Sequence, residues 1–148
     1  MATQNIAELA RELGRSITEL RTSLRQHIQV KIRENDIDIS FELLEVLAYL
    51  FRKDGVNQQE IADIMFKDKS SMTYLLDNLV KRNMVKRTED ENDRRNKLIY
   101  LTEKGKSLQD VFDPWITETY EKAAKGIKSA DIEKAMSLIQ NMNNNLKR

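Results

Sequence analysis

Residues 57–105 most constrain what this chain can fold into. Asn57 and Glu60 stand three apart, like a helix-capping pair, and Ile61, Ile64 and Met65 follow at helical spacing. After a charged turn, Asp68 stands where an N-cap belongs. Met72, Leu75, Leu76 and Leu79 then mark the inward side of a second helix running to Arg82. Asn83 lies where that helix must stop, and asparagine tolerates the left-handed backbone that such a stop requires. Residues 85–89 and 97–101 read as two strands joined by an all-polar loop, residues 90–96. Two short helices followed by a hairpin with a basic tip suit duplex DNA, with a helix for one groove and the tip for its neighbour.

The flanks are helical too. Ile6, Leu9, Leu13, Ile17, Leu20, Leu24, Ile28 and Ile32 recur every three or four residues, one apolar stripe on a helix over residues 3–34. Such a helix is about 48 Å long, wider than a small domain. Its stripe needs a partner, and a second copy of the chain is the simplest source; a helix lying across its own domain is the alternative. Asn35 and Asp36 end it, Ser40 caps a helix from Phe41 to Arg52 with Leu44, Leu47 and Leu50 inward, and residues 53–55 form a turn. Thr102 caps a further helix, and Pro114 predicts a kink or restart after Asp113. Gly126 closes that element. Ser129 opens a last helix with Ile132, Met136, Ile139, Met142 and Leu146 on one face, and the asparagines near Asn143 read as a frayed end.

One proline and four glycines leave most of the chain free to be helical, and 148 residues make one domain the default. The net charge of +1 hides a swing. Residues 36–66 carry two basic and seven acidic side chains, whereas residues 67–106 carry eleven and seven. The positive charge gathers in the second helix and the hairpin, as phosphate neutralisation requires. Enzyme chemistry is not expected: His27 is the only histidine, there is no cysteine, and no glycine-rich phosphate loop appears. A lone histidine does not build a multi-histidine zinc site, so neither a metal nor another cofactor is expected. With no cysteine, no signal-peptide pattern and no membrane-length apolar window, the expected location is the cytoplasm.

A reading helix presents short polar side chains near its N-terminal end. Here those are Lys69, Ser70, Ser71, Thr73 and Tyr74, with Lys69 suited to a phosphate. Gln58 and Gln59, in the first turn of the preceding helix, suit the sugar–phosphate chain. At the tip, Arg94 and Arg95 suit the negative potential of a narrow minor groove, and Asp93 beside them suits orienting a guanidinium. The competing reading is a winged helix that serves only protein–protein contact.

Residues 39–105 resemble the MarR family of bacterial transcription regulators, which are winged helix–turn–helix proteins. The resemblance rests on Asp93-Arg94-Arg95, followed by Lys97-Leu98 and Leu101-Thr102-Glu103-Lys104-Gly105, and on Lys69-Ser70-Ser71-Met72-Thr73 with Leu79 and Lys81-Arg82. It implies a mainly α fold with a small β-hairpin wing. Residues 36–106 would form the DNA-binding region, and residues 1–35 and 107–148 the dimerisation helices. It further implies an obligate homodimer on a pseudo-palindromic operator in double-stranded DNA. Arg82 would join Gln58 and Gln59 on the backbone, and Asp93, Arg94, Arg95 and Lys97 would form the wing contacts. Family members hold small amphipathic or phenolic effectors between the dimer helices and the reading head. His27, beside the first stripe, is the candidate to line such a pocket, the alternative being a packing histidine. Asn83 stands where the family usually has glycine, and Pro114 is less usual there.

Overall fold

The computed structural model describes residues 5–147, and the helix start expected at residue 3 lies outside them. Asn5 sets the start of α1 (Ile6–Glu34), its side-chain oxygen accepting from the Ala7 N–H at 2.7 Å. At about 44 Å, α1 reaches the core only through Ile28 and Ile32. Of the rest of its stripe, Leu24 is half-buried and Ile6, Leu9, Leu13, Ile17 and Leu20 are exposed in the single chain.

Asp36, at φ +50°, turns the chain into α2 (Phe41–Arg52), capped by Ser40. Leu44, Leu47 and Leu50 are buried as expected, and so are Leu43 and Val46, because α2 is covered on more than one side. Gly55, at φ +71°, leads into β1 (Val56–Asn57); a side chain there would strike the Tyr100 ring. This short strand was not legible as one. It pairs antiparallel with the second strand of the hairpin, Val56 opposite Ile99.

Asn57 caps α3 (Gln58–Ile64) and Asp68 caps α4 (Lys69–Lys81). Met72, Leu75, Leu76 and Leu79 are all buried. Two details of α3 differ from expectation. The Glu60 N–H donates to the Asn57 side chain at 2.7 Å, but the Glu60 carboxylate does not reach back and instead accepts from Tyr49 and Lys53 at the end of α2. The Tyr49 hydroxyl, then Lys53, hold the Glu60 carboxyl below the ordinary glutamate range. Ile64 is exposed, and Ala62 takes its place in the core. The inward direction of this two-turn helix lies between Ile61, Ala62 and Met65, which puts Ile64 to the side.

Phe66, between α3 and α4, combines φ +53° with a side chain 95% exposed. The left-handed conformation is costly for a residue with a Cβ. Phe66→Gly is therefore expected to raise stability by about 0.5–1 kcal/mol, since glycine removes the strain but loses more chain entropy on folding. Denaturant midpoints of the two proteins check this, and a lower midpoint for the variant counts against it.

The hairpin is longer and its turn tighter than expected. β2 (Val85–Asp90) and β3 (Asp93–Leu101) leave only Glu91 and Asn92 as the turn. The register runs regularly from Val85↔Leu101 to Glu89↔Lys97, then jumps to Asp90↔Asp93. Residues 94–96 therefore face no partner across the ladder, a bulge at the tip. Aspartate side chains supply its acceptors. Asp90 takes the Asn92 N–H at 3.0 Å and the Asn96 amide at 3.2 Å, and Asp93 takes the Arg95 N–H at 3.1 Å. The three strands form one sheet, ordered β1-β3-β2.

Asn83 adopts φ +59° as expected, and Thr102 caps α5 (Glu103–Ser107). A Cβ on Gly105 would stand 2.1 Å from the Met84 carbonyl oxygen, so no larger residue fits between α5 and the start of β2 without moving backbone. The restart expected at Pro114 lies earlier, at Leu108, where α5 gives way to α6 (Gln109–Ala123). Pro114 sits inside α6; it and Asp110, whose carbonyl loses its helical donor, are on the exposed side. Gly126, at φ +81°, follows the end of α6. The last helix, α7 (Ser129–Leu146), continues through the asparagines near Asn143 instead of fraying before them, and none of its residues is buried. None of the described helices is long and apolar enough to cross a membrane.

Candidate nucleic-acid interface

Asp68 anchors the start of α4. Its carboxylate accepts the Ser71 N–H at 2.7 Å, the geometry that satisfies an orphan donor of a helix N-terminus. That backbone bond, then the Ser71 hydroxyl, hold the Asp68 carboxyl below the ordinary aspartate range. A carboxyl with a lowered value stabilises the fold at pH above its ordinary value and loses that contribution as pH falls through the lowered one. The stability difference between wild type and Asp68→Ala is expected to stay constant from neutrality to about pH 4 and to shrink only below it. Denaturation at a series of pH values checks this; a difference already gone at about pH 5 contradicts the cap.

From this cap, α4 displays two edges. Lys69, Ser70 and Ser71 are exposed in its first turn. Tyr74, one turn after Ser70, is 68% exposed. Thr73 lies on the other edge, half-buried, and its hydroxyl accepts from the Gln58 amide at 2.7 Å. Thr73 and Gln58 thus lock α3 to α4, so neither side chain stands free as expected. Gln59 is exposed and donates to Asp63 at 2.8 Å. Arg82 is engaged within the chain: it donates to the Asp38 carbonyl at 2.9 Å and to the Asn78 side chain at 3.1 Å.

On the wing, the Arg95 side chain is 94% exposed, with its Nε 3.6 Å from Asp93. Asp93 also receives the Arg95 backbone N–H, so one carboxylate orients both parts of that residue. Arg94 beside it is exposed. Lys97 bridges to Glu89 across the strands at 3.2 Å. Gln58 and Gln59 of α3, Lys69 of α4, and Arg95 and Lys97 of β3 line one concavity of about 170 Å³. Three elements separated in sequence thus bring three cations and two amides to one place.

His27 lies apart from this face. Thr119 donates its hydroxyl to the Trp115 carbonyl at 2.8 Å, so it accepts from His27 Nδ1, also at 2.8 Å. The histidine joins α1 to α6. Sequence reasoning missed Arg87, which bridges β2 and α4. A signal existed: with Val85 buried, strand alternation puts Arg87 on the inward phase, an unusual place for a cation.

Comparison with known proteins adds context to this geometry. The model described as the MarR family matches residues 39–97. Over 66 residues the chain is 39% identical to the HTH-type transcriptional regulator SarZ of Staphylococcus epidermidis, covering 45% of each protein. It is 32% identical over 76 residues to the HTH-type transcriptional regulator TtmR of Methylorubrum extorquens, covering 51% of this chain and 39% of that protein. The chain spans about half the length of the curated relatives it matches. Among solved structures, a MarR transcriptional regulator from Methanosarcina mazei aligns with a TM-score of 0.77 and 27% identity, covering 91% of this chain and 96% of that one. A putative MarR family regulator from Listeria monocytogenes, solved with a 26mer DNA, aligns with a TM-score of 0.80 and 20% identity, covering 97% and 90%.

Proposed function

We propose that the chain is a member of the MarR family and acts as a homodimeric transcription regulator that binds double-stranded DNA in a sequence-specific and ligand-responsive way. The observation that carries the reading is the convergence of Gln59, Lys69, Arg95 and Lys97 on one concavity. A helix N-terminus enters a major groove while a cationic tip reaches the adjacent minor groove.

Pairing is supported by what the chain leaves uncovered. The N-terminal stripe of α1 and the apolar side of α7, where Met136 is 65% exposed, find no partner within the described chain. Apolar surface on that scale marks an association site. A two-fold axis through α1 and α7 would present two reading heads, about 34–36 Å apart for successive major grooves. Residues 1–35 and 107–148 would then dimerise, and residues 36–106 would read DNA.

Ligand response is supported by a cleft of about 380 Å³ between the α1–α2 connection and α4. Ile32, Ile37, Leu43 and Leu75 give it an apolar floor, and Arg33 and Tyr74 also line it. An amphipathic anion suits such a lining, and its contact with α4 gives it a grip on the reading head. His27 does not line this cleft.

Selection from a random-sequence duplex pool tests the proposal. The expected product is an enriched sequence with two inverted half-sites one helical turn apart, bound by a protein that sediments as a dimer. A pool that gains no sequence signature favours the purely protein-binding winged helix.

A further inference from the structure

Arg87 stands on β2, opposite Ile99 in the hairpin register, yet its contacts are on the reading helix. Its Nη1 lies 2.7 Å from the Asp77 carboxylate, and its Nη2 donates to the Thr73 carbonyl at 3.3 Å. Thr73 and Asp77 are one helical turn apart, so a single guanidinium spans a turn of α4. The Arg87 side chain is one-quarter exposed and that of Asp77 59% exposed, so the pair is open to solvent on the Asp77 side and its value lies in its geometry. From α3, Gln58 holds the Thr73 hydroxyl. The turn of α4 behind Lys69 and Ser70 is thus clamped between α3 and the wing.

The geometry points to Arg87 as a positioning residue that fixes the wing relative to the reading helix, with Asp77 as its anchor, so that both grooves are engaged in one register. This rests on the DNA-binding reading above and adds how discrimination is achieved. The planar fork of arginine meets two acceptors at fixed spacing, which a lysine cannot do. The clamp also has an electrostatic consequence. Asp77 lies on the helix that approaches phosphates, and Arg87 cancels its charge. Removing either partner loosens the register, but the two removals shift the local charge in opposite senses.

The test compares wild type with Arg87→Ala, Arg87→Lys and Asp77→Asn on two duplexes. One is the sequence enriched by wild type from a random pool, and the other is an unrelated duplex of equal length. Arg87→Ala and Asp77→Asn are each expected to lower the ratio of the two affinities by about tenfold, the size of one misplaced base contact. Affinity for the unrelated duplex is expected to fall in Arg87→Ala, where Asp77 is left bare. It is expected to rise in Asp77→Asn, where the guanidinium is freed. Arg87→Lys should keep generic affinity near wild type while still losing discrimination. An unchanged ratio in Arg87→Ala and Asp77→Asn overturns the assignment. So does a parallel fall in generic affinity, which is what simple loss of folding produces. The near-isosteric Asp77→Asn and a melting curve for each variant keep these outcomes separable. A wild type that enriches no duplex removes the DNA-binding reading itself, whereas enrichment with unchanged ratios removes only the role of Arg87.

Discussion

Phe112→Ala is expected to destabilise the protein by about 3–5 kcal/mol, the range for a fully buried aromatic truncated in place. Phe112 is among the largest side chains with no exposure, and it joins a core that includes Leu44, Leu47, Leu76 and Ile99. Its ring meets Trp115 at 5.5 Å between centroids, tilted by 57°, an arrangement favoured between aromatic rings. α6 packs on both α1 and α2, so one residue links a flanking helix to the reading head. Those backbones are held by their own helical bonds and cannot collapse into the space that the ring vacates. The loss is a large part of the roughly 5–15 kcal/mol by which domains are stable. Denaturant unfolding at one fixed protein concentration measures it, since association shifts apparent stability. A loss under about 1 kcal/mol would mean that the core as described is wrong.

The second expected result concerns binding. Arg95→Ala should weaken association with the enriched duplex by about 1–3 kcal/mol while leaving the fold intact. The side chain is almost wholly exposed and its one ion-pair partner, Asp93, is a surface group, so little folding energy depends on it. The expected loss comes from an aimed guanidinium. Asp93 holds both its Nε side and its backbone N–H, which reduces the freedom lost on binding. Arg94→Ala should cost less, and Asp93→Asn should fall between them. Competition binding on one duplex ranks the three variants; wild-type affinity in both arginine variants would remove the wing from the interface.

Much of the fold could be read from the sequence because its determinants are local. Ser40, Asn57, Asp68 and Thr102 each cap the helix that their position announced. The stripe Met72, Leu75, Leu76 and Leu79 is buried because helical spacing leaves no other inward face. What the sequence did not reveal depended on contacts between distant residues. The tip read as a seven-residue loop because residues 90–96 are all polar; Asp90 and Asp93 instead bond tip N–H and amide groups and let the strands continue. Thr73, expected to face outward, is half-buried, and Gln58, fifteen residues earlier, donates to its hydroxyl. Arg82, expected on the DNA backbone, donates its Nε to the Asp38 carbonyl in the free chain. The bare face of α1 was legible as a stripe in need of a partner and that of α7 as a one-sided apolar face, and a single chain leaves both exposed.

In the proposed complex one dimer presents two copies of the α4 edge and the Arg95 wing to a single duplex. Titrating the enriched duplex with protein at salt concentrations from about 50 to 200 mM tests it most directly, because each neutralised phosphate releases counterions and steepens the salt dependence. The account predicts saturation at two protomers per duplex, with affinity falling by at least about a thousandfold across that range, as six or more phosphate contacts require. Saturation at one protomer, or an affinity that barely responds to salt, would contradict it.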